Sequence, residues 1–152
     1  MVHSLAPIVL FVYNRPRHTE ETLNALIQNE LAAESMLYIF SDGPKNDATQ
    51  EQLGKITEVR QVIRSKQWCR EIVFRESDCN KGLADSITAG VTEVIEKHQK
   101  AIVLEDDIIT STGFLKFMND ALDFYENEEK VMHISGYMYP HTKKLPETFF
   151  FC

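Results

Sequence analysis

Apolar runs of strand length alternate along this chain with amphipathic stretches of helical length. Residues 7–13 are β-branched, aromatic and apolar throughout, the composition of a strand buried on both faces. Asn14-Arg15-Pro16 interrupts the run. Thr19, followed by Glu20 and Glu21, then reads as the N-cap of a helix with Leu23, Leu26, Ile27 and Leu31 along one stripe. A second strand is expected over 36–40, closed by the turn-forming Ser41-Asp42-Gly43-Pro44. Asp47 with Gln50 three residues on has capping-box spacing, and Leu53, Ile56, Val59 and Ile63 give the following helix a buried face. Residues 71–75 predict a short third strand. Asn80-Lys81-Gly82 leads into a helix with Leu83, Ile87, Val91, Val94 and Ile95 in line. A fourth strand over 101–104 ends abruptly at Glu105-Asp106-Asp107. The last helix runs from about Ser111, with Phe114, Phe117, Met118, Ala121, Leu122 and Tyr125 at helical spacing. Residues 131–135 have the composition of a fifth strand.

Repeated strand–helix–strand units predict an α/β fold of the Rossmann-like, doubly wound kind: a mainly parallel sheet with helices on both faces. Ligands of such sheets bind outside the carboxyl ends of the strands, where strand order reverses. The four expected ends carry Asn14-Arg15, Ser41-Asp42, Arg75-Glu76 and Glu105-Asp106-Asp107, all polar or charged and all due on one edge.

Composition narrows the setting. With 152 residues, 43% hydrophobic and 26% charged, one ordinary domain is expected, with no linker or repeat. A net charge of −7 argues against nucleic acid as a partner. The apolar runs are too short to span a bilayer, and the N-terminus lacks the pattern of a signal peptide. Cys69, Cys79 and Cys152 are odd in number, without C-x-x-C spacing, and read as reduced thiols of a cytoplasmic protein.

The acid triplet is the sharpest chemical feature. Three adjacent carboxylates after a buried strand repel one another unless a cation or solvent relieves them, and a hard Mg²⁺ or Mn²⁺ prefers such ligands beside phosphate oxygens. A solvated acidic turn is the competing account. Asp42 is either a turn-former bonding its own backbone or a carboxylate for a base N–H or ribose hydroxyls. Arg15 and Arg17 are either a solvated helix entrance, or guanidinium groups that meet a diphosphate or line a base pocket. Lys81 adds charge to a helix-entry loop that can approach an anion. His3, His18, His98, His133 and His141 show no ligand spacing. A Walker A sequence, a G-x-G-x-x-G and a nucleophile elbow are all absent.

Taken together and in this order, residues 7–16, Ser41-Asp42-Gly43, the Gly82-Leu83-Ala84 helix start and Val103-Leu104-Glu105-Asp106-Asp107 resemble GT-A fold glycosyltransferases. The N-acetylglucosaminyltransferase I-like group and related bacterial sugar transferases are the nearest likeness, and it covers nearly the whole chain. The resemblance implies that Asp107 ligates Mn²⁺ or Mg²⁺, Asp106 contacts the ribose or sugar of the donor, and Glu105 orients the sugar. It matches Arg15 to the arginine after the first strand and Asp42 to the carboxylate that binds uracil. Lys81 and Ser86 fall among the donor contacts, with Ser86 standing where the eukaryotic enzyme has histidine. The implied activity is transfer from a UDP-sugar to a glycan or glycolipid acceptor, for bacterial polysaccharide synthesis, in the cytoplasm or at the inner face of the membrane. By the same resemblance the catalytic base lies beyond residue 152. Residues 1–152 are therefore expected to be a single donor-nucleotide-binding domain, cut off before the acceptor-binding part.

Two other classes make different demands. A receiver-like signalling module needs acids after its first strand, where this chain has Asn14-Arg15-Pro16. A nucleotidyltransferase needs a Gly-rich phosphate loop there.

Overall fold

The computed structural model describes residues 4–137. Strand β1 (Ile8–Val12) is buried at every position. It pairs on one side with β2 (Met36–Ser41) and on the other with β4 (Ile102–Glu105), and β3 (Glu71–Glu76) lies outside β2. The four-stranded sheet has the order β3-β2-β1-β4 and is parallel throughout. Its helices are α1 (Pro16–Leu26), α2 (Gln50–Arg64), α3 (Leu83–His98) and α4 (Phe114–Phe124), with a short 3-10 turn over Ala32–Glu34.

Period-two alternation along β1 divides the core. Ile8, Leu10 and Val12 join Leu37, Ile39, Ile102 and Leu104 on the face covered by Leu23 and Leu26 of α1, Val59 and Ile63 of α2, and Leu115 and Met118 of α4. Val9, Phe11 and Tyr38 point the other way and meet Val94 of α3, with Ile87 and Val91 beside it. Each such side chain, fully buried, contributes roughly 1.5–3 kcal/mol. Phe11 and Phe40 stack with centroids 5.2 Å apart, and α3 rests on them through Gly90. A Cβ at Gly90 would lie 2.8 Å from the Phe11 ring, so any larger residue forces helix and rings apart. The fold is thus α/β and Rossmann-like. The chain builds outward from β1 to β3 on one face, then returns through α3 on the other to place β4 beside β1.

Helix α4 is anchored from a distance. Gly113 at its N-cap offers no side chain, and Asn29, just past α1, supplies the cap: Asn29 Oδ1 accepts from the Leu115 N–H at 3.0 Å. Asn29 Nδ2 donates to Thr110 Oγ1 at 3.0 Å, and the Glu30 N–H donates to the Thr112 carbonyl at 3.2 Å. Buried Asn119 accepts from the Ala6 N–H at 2.8 Å, which ties α4 to the entry of β1.

Several expectations shift. Helix α1 begins at Pro16 rather than Thr19, because proline at the first turn needs no N–H partner. Thr19 is buried inside the helix and donates to the Arg15 carbonyl at 2.9 Å. The capping box of α2 is Thr49 with Gln52, not Asp47 with Gln50: Thr49 Oγ1 accepts from the Gln52 N–H at 3.3 Å and Gln52 Oε1 from the Thr49 N–H at 2.9 Å. Residues 131–135 are not a strand. The Val131 N–H turns back to the Glu128 carbonyl, and Ile134 gains its burial against the core cluster instead of by pairing. Leu83, Ile95 and Phe117, expected on buried stripes, are exposed. Cys69 is buried, which pushes its thiol up to about 12, whereas Cys79 is exposed and both are free. Cys152, His3 and His141 lie outside the described residues. No helix among the described residues is long and apolar enough to cross a membrane.

Thr22 of α1 is fully buried, and its hydroxyl has no hydrogen-bond partner among the described residues. Thr22→Val keeps the shape and removes the unmatched group. It is expected to raise unfolding stability by about 1 kcal/mol in urea titrations. A loss of stability would show that the hydroxyl is matched by bound water.

Candidate functional site

The carboxyl ends of the strands surround a cleft of about 380 Å³ on the reversal of strand order between β1 and β4. Its floor is apolar, from Phe11, Phe40 and the exposed Leu83. Its walls are polar: Asn14 and Arg15 after β1, Asp42 after β2, Asn80 and Ser86 around the start of α3, and Glu105 with Asp106 at the end of β4.

Arg15 joins the two strands at the reversal. Its Nε donates to Asp106 Oδ2 at 3.3 Å, its Nη2 to Asp106 Oδ1, and its Nη1 to Asp107 Oδ2 at 3.1 Å. Adjacent residues of the triplet therefore have different fates. Asp106 is buried and gripped through both oxygens, while Glu105 and Asp107 are exposed. The guanidinium pKa is raised, chiefly by its hydrogen bond to Asp106, against the opposing effect of burial. Such two-oxygen contacts fix direction as well as charge.

Asp42 lies in the cleft wall after β2, and its carboxylate accepts hydrogen bonds from Gly43 and from residues 80–82. Of the residues singled out from sequence, Arg15, Asp42, Ser86, Glu105 and Asp106 all line the cleft. Asp107 stands beside it, reached through Arg15. Lys81 gives Asp42 its backbone N–H, but its side chain is not part of the lining. Arg17 is solvated and paired with Glu21 at 2.9 Å. The end of β3 is also spent on structure: Arg75 pairs with Glu93, and Glu76 with Arg64, whose hydrogen bond holds the Glu76 carboxyl below its usual range. Lys45 lines the cleft and was not singled out. Its only sequence signal is its place directly after Pro44.

The oxygen donors at the reversal suit a hard divalent cation. Among the described residues, however, no group of three or more His, Cys, Asp or Glu converges on one point. That donor set fits a cation shared between one or two carboxylates, water and phosphate oxygens, not one caged by protein alone. Glu105 and Asp107 are the exposed carboxylates there, and Asp107 keeps one oxygen outside the Arg15 contact.

No family model and no curated protein matches the chain. Among solved structures it is similar to that of S. aureus TarS, a glycosyltransferase, with a TM-score of 0.50 and 14% identity. The match covers 79% of this chain and 20% of TarS, so the chain spans about a fifth of that protein's length. The likeness is one of fold alone.

Removing the guanidinium strands a buried carboxylate. Arg15→Met is expected to destabilise the domain at the low end of the roughly 3–5 kcal/mol seen when a buried pair loses one partner, because Arg15 itself is half exposed. Arg15→Met combined with Asp106→Leu should recover part of that loss in thermal melts. Equal stability of Arg15→Met and wild type would show that Asp106 does not depend on this contact.

Proposed function

We propose that this chain carries the donor-binding part of a metal-dependent glycosyltransferase that takes a UDP-sugar, with N-acetylglucosamine or a related hexose as the sugar and a glycan or glycolipid as acceptor. The observation that carries the reading is the pairing of Arg15 with Asp106 and Asp107 at the strand-order reversal, inside a polar cleft of a glycosyltransferase-like fold. Reversals of this kind are where open α/β sheets bind their ligands.

Each residue has a role in that chemistry. Transfer from a nucleoside diphosphate sugar builds negative charge on the departing diphosphate. A bound Mn²⁺ or Mg²⁺ supplies the charge that neutralises it. Asp107 would hold that cation. Arg15 keeps Asp106 in a fixed direction toward the ribose and sugar of the donor, and Glu105 orients the sugar. The Asp42 side of the cleft, with Asn80 and Ser86, takes the nucleoside over the apolar floor of Phe11, Phe40 and Leu83. Lys81 adds positive charge to the same loop.

The cleft carboxylates make poor general bases for an acceptor hydroxyl. Asp42 and Asp106 are committed to hydrogen bonds within the protein, and Glu105 is given over to orienting the donor sugar.

Titration calorimetry with UDP, with and without Mn²⁺, tests the reading. UDP is expected to bind more tightly with Mn²⁺, while Mn²⁺ without nucleotide binds weakly. Asp107→Asn should weaken the Mn²⁺-dependent binding by at least about tenfold, or ~1.4 kcal/mol. It should leave the melting temperature and the metal-free UDP affinity unchanged. Equal Mn²⁺-dependent affinity in the variant removes Asp107 from the metal site, and absence of any UDP binding removes the nucleotide reading.

A further inference from the structure

The carboxylate of Asp42 is fully occupied within the protein. Oδ1 accepts from the Gly43 N–H at 2.9 Å and from the Lys81 N–H at 2.9 Å. Oδ2 accepts from Asn80 Nδ2 at 2.9 Å and from the Gly82 N–H at 3.1 Å. An ionised carboxylate offers about four acceptor positions, so these donors use them all.

The same two loops are joined at further points. Asn80 Nδ2 also donates to the Gly43 carbonyl at 3.1 Å, the Asn80 N–H to the Pro44 carbonyl at 2.9 Å, and the Ser77 N–H to the Ser41 carbonyl at 3.0 Å. Gly43 lets them touch backbone to backbone. A Cβ there would lie 2.5 Å from the Cys79 nitrogen and 2.7 Å from the carbonyl carbons of Asp78 and Cys79, none of which can swing aside as a side chain can.

This contact sets where α3 begins. Gly82 is the N-cap of α3 and has no side chain to cap it, so the position of the first turn is fixed from the other loop by Asp42. Asn80, Gly82, Leu83 and Ser86, which follow from that position, all line the cleft.

We propose that Asp42 is a positioning residue for the nucleoside end of the cleft. It clamps residues 80–82, and with them the start of α3, against the turn after β2, and it serves the ligand through that loop instead of by direct contact. The inference rests on the nucleotide-binding reading of the cleft. It requires a carboxylate and not merely a polar group, because every partner is a donor. An amide at this position would turn an NH₂ group toward two of them.

Gly43→Ala separates clamp from contact, because it pushes the loops apart while leaving Asp42 and every cleft-lining side chain chemically unchanged. Amide hydrogen exchange of the free protein, read residue by residue by NMR, is paired with UDP titrations in Mn²⁺ for Asp42→Asn, Gly43→Ala and the double variant. Both single variants are expected to speed exchange at Lys81 and Gly82 while core amides of β1 and β2 keep their protection. Each should weaken UDP by about tenfold, and the double variant should be no weaker than Asp42→Asn alone. Unchanged exchange at Lys81 and Gly82 in Asp42→Asn overturns the clamp. So does a Gly43→Ala protein with loosened amides and wild-type UDP affinity, which would mean that Asp42 touches the ligand itself. If Asp42→Asn does not fold, the Gly43→Ala affinity decides the matter alone. If the wild-type protein binds no UDP, the nucleotide reading fails, while the exchange data still decide whether the clamp exists.

Discussion

The burial of β1 on both faces is the constraint on which the architecture turns. Ile8–Val12 has no polar side to show to water, so one layer of helices cannot satisfy it. The chain covers one face with α1, α2 and α4, and must then cross to the other with α3. That crossing is also what reverses the strand order. The crevice between the ends of β1 and β4 is therefore a by-product of covering an apolar strand, before any functional residue is considered.

The crevice is then made rigid by two different devices. At the β1–β4 side, an ion pair between Arg15 and the buried Asp106 extends the connection between the strands past their last ladder position, Phe11 opposite Glu105. At the β2–β3 side, neutral backbone donors converge on a single carboxylate. In a chain with a net charge of −7, each places a negative group where its charge is already matched internally. The acids left exposed at the reversal, Glu105 and Asp107, are the ones with capacity for something from outside.

Sequence pattern carried the fold well, because strand burial and helix periodicity are local signals. Among the described residues, the four strands and four α-helices fall within a few residues of expectation. The errors are local choices between neighbouring signals: Pro16 outranks Thr19, and Thr49 outranks Asp47, where two plausible caps lie close together. The apolar run over 131–135 shows the limit of composition, since Ile134 reaches the core without a strand to carry it. Of the site, the polar strand ends were legible as a group. What was hidden is the pairing, because Asp42 meets partners 38 to 40 residues away and Arg15 meets partners 91 and 92 away. No local spacing encodes such contacts. The role of Asn29 was hidden for the same reason: its partner Leu115 lies 86 residues further on.

The anchoring by Asn29 has a consequence for the acidic loop. Glu105 belongs to the sheet, and Thr110 is held by the Asn29 amide. Between these fixed points lies a span of four residues, in which Asp106 is buried under Arg15 while Ile108 and Ile109 are largely in solvent. The Ile108 N–H donates back to the Glu105 carbonyl at 3.2 Å, so the turn between them is itself closed by a hydrogen bond. Within this span Asp107 keeps one oxygen outside its contact with Arg15, while Asp106, its immediate neighbour, is held through both.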